Sequence, residues 1–295
     1  SFGSYATRFI DPGLGFGIGW LYWILWILVS SVDIITLSKI LHYWEFFRQF
    51  STFYICMFFL VLLYILNLVS VKVFGEVEYW ITIIKVLTVI VFLIVGAAII
   101  FGITNNTDAG ITTFIKNGEK TSTAGLLGLF GIFSTAAFSF GGTEIVAVTA
   151  GESPDPKETM PKAVKQVFWR ILIFYIATMF IISSIVSADD PRLLDTNNVT
   201  ASPFTIVFQN IGLGIAAVIM NIVILTSVLS AANSGMYVSS RQLFSLSLSN
   251  YGPKSFKKLN SNSTPTIALS FSVIFMILCF IFEKYNPKGY YMLLS

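Results

Sequence analysis

Seven stretches of this 295-residue chain are apolar over about the length that a helix needs to cross a bilayer, roughly 20 residues. They run Leu14–Tyr43, Thr52–Ser70, Tyr79–Ile103, Ala124–Ala150, Val167–Val186, Phe204–Ser234 and Thr266–Phe282. Hydrocarbon offers nothing to bond a free backbone N–H or C=O, so such runs must satisfy their hydrogen bonds internally, as helices do. An all-α integral membrane fold is the expectation.

Composition excludes the main alternatives. Charged residues make up only 11% of the chain and apolar residues 55%, with a mean hydropathy of +0.80. Soluble domains carry about 25% charged residues. The net charge of +3 is small and dispersed, so no nucleic-acid partner is expected. Cys56 and Cys279 sit in separate apolar runs without metal-ligand or redox spacing, and His42 is the single histidine. No metal, no cofactor and no nucleophile–base pair is implied, so an enzyme is not expected.

The connections read as loops. Thr104–Thr123 is polar, with a turn signal at Asn117-Gly118, and Ala188–Ser202 carries three aspartates. Pro154, Pro156 and Pro161 mark Gly151–Lys165 as turn-rich, and Ser239–Pro265 is the longest polar connection. The chain starts at Ser1, not at a methionine, and closes on an apolar Tyr290–Ser295. The expectation is one transmembrane domain over 1–295, truncated at both ends.

Lysine and arginine bias sets orientation. With alternating spans, Arg8, Lys72, Lys157, Lys162, Lys165, Arg170, Arg241, Lys254, Lys257 and Lys258 fall on one side. Arg48, Lys116, Lys120, Arg192, Lys284 and Lys288 fall on the other, so the first side is assigned to the cytoplasm.

Polar groups inside the spans carry the functional argument. Phe138-Ser-Phe-Gly-Gly-Thr-Glu144 breaks the fourth run with two glycines and a carboxylate. Backbone that leaves a helix at bilayer depth must line a cavity, and discontinuous helices of this kind hold substrate in secondary transporters. Glu144 reads either as a proton site or as a brace for freed N–H groups. Asp33, in Ser30-Ser-Val-Asp-Ile-Ile-Thr36, reads either as a structural partner of Lys39 or a neighbouring helix, or as counter-ion for a cationic substrate. An unpaired carboxylate at that depth costs on the order of 3 kcal/mol. Lys85 shares a helical face with Thr82 and Thr88; it either snorkels to the interface beside Tyr79 and Trp80 or faces the bundle interior, where a dry site would let it exchange a proton. Thr226, Ser227, Ser230 and Asn233 form a small-polar stretch in the sixth run, suited to close helix packing or to surrounding a cation.

These residues resemble one family. Ser1-Phe-Gly-Ser through Trp20 resembles the entry to the third helix of amino-acid permeases, and Phe74-Gly-Glu-Val-Glu-Tyr-Trp80 with Ile84-Lys85-Val86 the start of their fifth. Phe138–Glu144 followed by Ala150-Gly-Glu152 resembles their sixth helix and its exit; Ser202-Pro-Phe-Thr205 and Leu229-Ser-Ala-Ala-Asn-Ser-Gly-Met-Tyr237 resemble the eighth. The likeness covers nearly the whole chain and is nearest the bacterial lysine-specific branch. It implies a partial five-plus-five inverted-repeat, leucine-transporter-like fold, with the third to ninth helices present. It further implies multi-pass residence in a plasma membrane, the bacterial inner membrane.

By that resemblance, Phe138, Ser139, Phe140, Gly141, Thr143, Glu144 and Asn233 are substrate contacts, and Asp33, with Glu144 as the competing candidate, meets the substrate's side-chain ammonium. Glu144 is the proton-sensitive carboxylate, Lys85 stands where sodium-coupled relatives hold a cation, and Thr226 and Ser227 line that place. The activity implied is proton-coupled symport of L-lysine or another basic amino acid. An exchanger trading an amino acid for its decarboxylation product, and a lysine-binding membrane sensor, are the alternatives.

Overall fold

The computed structural model describes residues 2–69, 71–102, 110–123, 155–194, 202–210 and 214–286, and within 124–154 only 125, 128, 130, 132, 133, 136 and 140–144. Among the described residues all regular structure is helical.

Helices α1 (Phe2–Phe9) and α2 (Pro12–Leu41) are joined by a tight corner in which the N–H groups of Ile10 and Asp11 both bond the Ala6 carbonyl. Asp11, in extended backbone, then caps α2 by accepting from Leu14 N–H at 3.1 Å, and Pro12 occupies the first turn, where its missing N–H costs nothing. A short turn, α3 (Glu45–Arg48), leads into α4 (Thr52–Val69) and then α5 (Val71–Ile100). After α6 (Ile111–Thr123) come α7 (Pro156–Arg170), a π-helical turn over Ile171–Ala177, and α8 (Thr178–Ile185). The rest is α9 (Pro191–Leu194), α10 (Pro203–Asn210), α11 (Gly214–Leu248) and α12 (Thr266–Tyr285).

Five helical stretches are long and apolar enough to cross a bilayer: Pro12–Leu41, Tyr79–Ile100, Lys157–Ile185, Val218–Leu248 and Thr266–Tyr285. Thr52–Leu68 is equally apolar but shorter. Most of the expected fourth span lies outside the described residues.

The chain divides into two compact units, with the boundaries falling inside α5 and α11. In the unit holding the described residues up to Ile84 and from Val223, α2, α4, α11 and α12 enclose Trp23, Ile34, Leu60, Leu63, Met236, Leu269 and Phe280. Polar side chains tie these helices: Trp23 Nε1 donates to Ser272 Oγ at 3.0 Å, and Gln242 Nε2 donates to the Gly19 carbonyl at 3.0 Å. In the unit from Lys85 to Ile222, Phe92 and Ile99 of α5 pack with Ile181 and Ile185 of α8, Ile206 and Phe208 of α10 and Met220 of α11.

Three expected loops are helical instead. Asn117-Gly118 does not turn the chain but sits within α6. Asn117 Nδ2 donates to the carbonyls of Ser183 (2.8 Å) and Val186 (2.9 Å), and its Oδ1 accepts from Ala188 N–H (2.9 Å). It thereby satisfies backbone groups that the end of α8 leaves open. The proline-rich stretch before Lys165 becomes α7. Asp155 and Pro156 supply a helix start, with Asp155 Oδ1 accepting from Glu158 N–H, and Pro161 removes a single backbone donor that the helix tolerates. The polar connection expected from Ser239 begins only after Leu248. Ser239, Ser240 and Ser247 turn their hydroxyls onto the carbonyls of Met236, Tyr237 and Phe244, and the Arg241 guanidinium lies 4.4 Å over the Tyr237 ring, so the helix absorbs this polar run. In the sixth expected span, α10 and α11 account for the described residues, and 211–213 between them lie outside those residues.

Candidate functional site

Asp33 is half-buried on α2. Its helix approaches α11 closely on both sides of it. One turn before, Ser30 and Trp26 lie so near Gly235 that a Cβ there would overlap Ser30 Oγ. One turn after, Leu37 belongs with Leu41 and Ile55 to a cluster against which Leu225, Val228 and Leu229 pack. Asp33 lies on α2 between Ser30 and Leu37, and α11 carries Ser230 and Asn233 between Leu229 and Gly235. Among the described residues, the Asp33 carboxylate has neither a hydrogen-bond donor nor a charged neighbour. Lys39 is not its partner: its electrostatic contacts are Glu283 of α12 and Cys56 of α4.

Asn233 is buried and its side chain is held in place. Asn67 of α4, also buried, donates its Nδ2 to Asn233 Oδ1 at 2.8 Å and to its own helix at Leu63 O at 2.9 Å. That engages the Asn233 Oδ1 as acceptor and orients its amide. Thr226 and Ser227 both donate to the Val223 carbonyl, at 2.9 and 2.7 Å. Their hydroxyl oxygens are thus free to accept or to face a cation, but not to donate elsewhere.

Of the expected glycine-broken stretch, residues 140–144 are described and form a turn. Phe140 N–H still bonds the Ala136 carbonyl at 3.2 Å; from there the backbone turns, with Gly142 at φ +92°, a left-handed conformation that favours glycine. The turn is closed by side chains. Glu144 Oε2 accepts from Gly142 N–H at 2.7 Å, and Thr143 Oγ1 donates to the Phe140 carbonyl at 2.9 Å. Glu144 thus satisfies a backbone donor within the turn. The Phe140 ring stacks on Tyr175, centroids 5.2 Å apart and 15° from parallel. Tyr175 lies in the π-helical turn, a rare geometry that recurs at functional sites. Gly141 is exposed in the turn, while Phe138 and Ser139 lie outside the described residues.

Lys85 is half-buried on α5, as are Thr82 and Thr88 on its face. It belongs to the second unit with Phe140, Gly141, Thr143 and Glu144, whereas Asp33, Asn233, Thr226 and Ser227 belong to the first.

Two side chains that sequence reasoning missed join these groups. Asn67 had a signal, as an amide inside an otherwise apolar 18-residue helix. Tyr175 had none, because nothing in Ile171–Ala177 marks a π turn.

A sequence model of the family described as Amino acid permease matches residues 1–294. The chain is 40% identical over its full length to the lysine-specific permease LysP of Lactococcus lactis subsp. cremoris, covering 59% of that protein. It is 40% identical to the histidine permease HisP of the same organism, covering 62% of it. Against the lysine-specific permease LysP of Escherichia coli K12 it is 40% identical over 99% of this chain and 60% of that protein. The chain thus spans about three-fifths of the length of these relatives.

Proposed function

Because this chain belongs to the amino acid permease family, we propose that it serves the uptake of lysine, or of basic amino acids more broadly, across the plasma membrane by proton-coupled alternating access. In this reading 1–295 is one transmembrane transporter domain, whose helices are the third to ninth of a five-plus-five inverted repeat. The observation that carries the substrate class is Asp33: a half-buried carboxylate that no described cation or donor satisfies. Leaving such a charge unpaired in a membrane helix is costly, and a substrate ammonium is the group that would relieve it. By the family pattern, Phe138 to Glu144 meet the amino-acid main chain and Asn233 is a further substrate contact; Phe140 is held by stacking on Tyr175. In the family pattern Lys85 takes the role of the coupling cation and Thr226 and Ser227 that of its hydroxyl lining, and Lys85 with Glu144 carries the proton.

The lysine and histidine permeases among the relatives are equally identical to this chain, so identity alone does not separate their substrates. Labelled lysine uptake into proteoliposomes holding the full-length protein, with and without an inward proton gradient, tests the reading. Unlabelled arginine, histidine and leucine serve as competitors. Gradient-driven uptake blocked by lysine and arginine but not leucine is expected. Asp33→Asn should raise the KM for lysine by about 10- to 100-fold, the scale of a hydrogen bond to a charged group. Histidine competing where arginine fails favours a histidine carrier instead. Counterflow indifferent to the gradient favours exchange, and binding without uptake favours a sensor.

A further inference from the structure

We propose that the exposed face of α7 is a binding surface for an anionic phospholipid, with its phosphate held by Lys157 and Lys165 and an acyl chain along Val164 and Phe168. The helix is amphipathic in an unusual sense. Met160, Ala163 and Val167 form its half-buried side, yet the exposed face beside it is not simply polar. It carries Val164, Phe168 and Trp169, exposed at 60%, 61% and 49%. These three residues, with Met160, Pro161 and Lys165, line an open groove of about 700 Å³.

At 100° per residue, Lys157 and Lys165 fall on the same arc as Val164, Pro161 and Phe168. Cation and apolar surface therefore lie side by side on one face. The helix has four basic residues and one acid, Glu158, which reaches Lys162 at 3.8 Å. Among the described residues, no carboxylate pairs with Lys157, Lys165 or Arg170.

Two facts select a lipid over a soluble partner. First, α7 continues without a break through the π turn into α8, so the groove runs directly into a bilayer-crossing stretch ending at Ile185. Second, Trp beside Lys and Arg at the head of a spanning helix is the arrangement that sits at headgroup depth, with aromatic bodies below the phosphates and cations among them. The uncompensated positive charge then selects an anionic over a zwitterionic headgroup. This inference concerns the lipid around the protein and is independent of what the protein carries.

The test is native mass spectrometry of the full-length protein released from mixed phosphatidylglycerol–phosphatidylcholine nanodiscs, with thermal unfolding to verify that each variant is folded. The unaltered protein should retain phosphatidylglycerol over phosphatidylcholine. Lys157→Gln with Lys165→Gln should reduce that preference by on the order of fivefold for each lysine removed. Lys157→Arg with Lys165→Arg should keep it, and Phe168→Ser should weaken retention of both lipids alike. Equal retention of the two lipids by the unaltered protein, or a preference that survives the glutamine pair, overturns the proposal. So does a preference lost equally in the arginine pair.

Discussion

Asn67 of α4 donates its side-chain amide to the carbonyl oxygen of Asn233 on α11 at 2.8 Å, both residues buried. The bond joins two helices through groups that lipid could not satisfy, and it orients the Asn233 amide. Asn67→Leu should therefore lower stability by about 0.6 to 1.7 kcal/mol, the range for interhelical hydrogen bonds in membranes. A double-mutant cycle with Asn233→Leu, read by thermal unfolding, should show the two losses to be less than additive. Strict additivity would mean that the bond contributes nothing.

The α2–α11 seam depends on a missing side chain. Gly235→Ala places a Cβ against Ser30 Oγ and 3.0 Å from Trp26 Cε3, so it should destabilise by about 1 to 3 kcal/mol, as overpacking does. Adding Ser30→Ala removes the first clash and should recover part of the loss. An unfolding temperature unchanged by Gly235→Ala would contradict this packing.

Glu144 has a measurable bracing contribution separate from any role in proton movement. Glu144→Gln keeps an acceptor for Gly142 N–H, whereas Glu144→Ala removes it. Stability should fall by about 0.5 to 1.5 kcal/mol in the alanine variant and stay near the original in the glutamine variant. If glutamine also abolishes gradient-driven uptake while substrate binding persists, the carboxylate's proton is what coupling requires. Equal stability losses in the two variants would deny the brace.

Gly142 itself should resist substitution, because its φ of +92° disfavours any residue with a Cβ. Gly142→Ala should cost about 1 to 2 kcal/mol, measured by chemical denaturation in detergent. A neutral effect would mean that the turn readily adopts another path.

The connection after α8 should respond to acid. Arg192 grips Asp190 through two bonds, at 2.7 and 3.0 Å, and these hold the Asp190 carboxyl below the usual carboxylate range. Because the folded value is depressed, the pair stabilises at pH above the ordinary value of about 3.9, and that contribution fades as pH falls through the folded value. Asp190→Asn should lower stability at pH 7 by about 0.2 to 1 kcal/mol, given how open the pair is to solvent. The gap to the unaltered protein should narrow on acidification; a gap that widens would reverse the sign.

Much of the helical framework was legible in the chain because hydropathy is summed along it. The runs from Leu14, Tyr79 and Thr266 became helices within a few residues of their expected starts or ends. Local rules failed where a polar residue had a partner far away in sequence. Asn117-Gly118 reads as a turn until Ser183, Val186 and Ala188 arrive to bond the amide. The serines after Gly235 read as a loop until their hydroxyls fold back on their own helix.

By itself the sequence determined that this chain belongs in lipid, where several of its long apolar helices run, and that Asp33 and Lys85 interrupt two of them. Those follow from the transfer energies of consecutive residues, a property of the chain without its fold. Only the tertiary structure decided that Lys39 answers Glu283 rather than Asp33, that Asn67 orients Asn233, and that Phe140 rests on Tyr175. A buried polar group is costly until paired, and its partner is whichever group helix packing brings within about 3 Å, which no local pattern encodes.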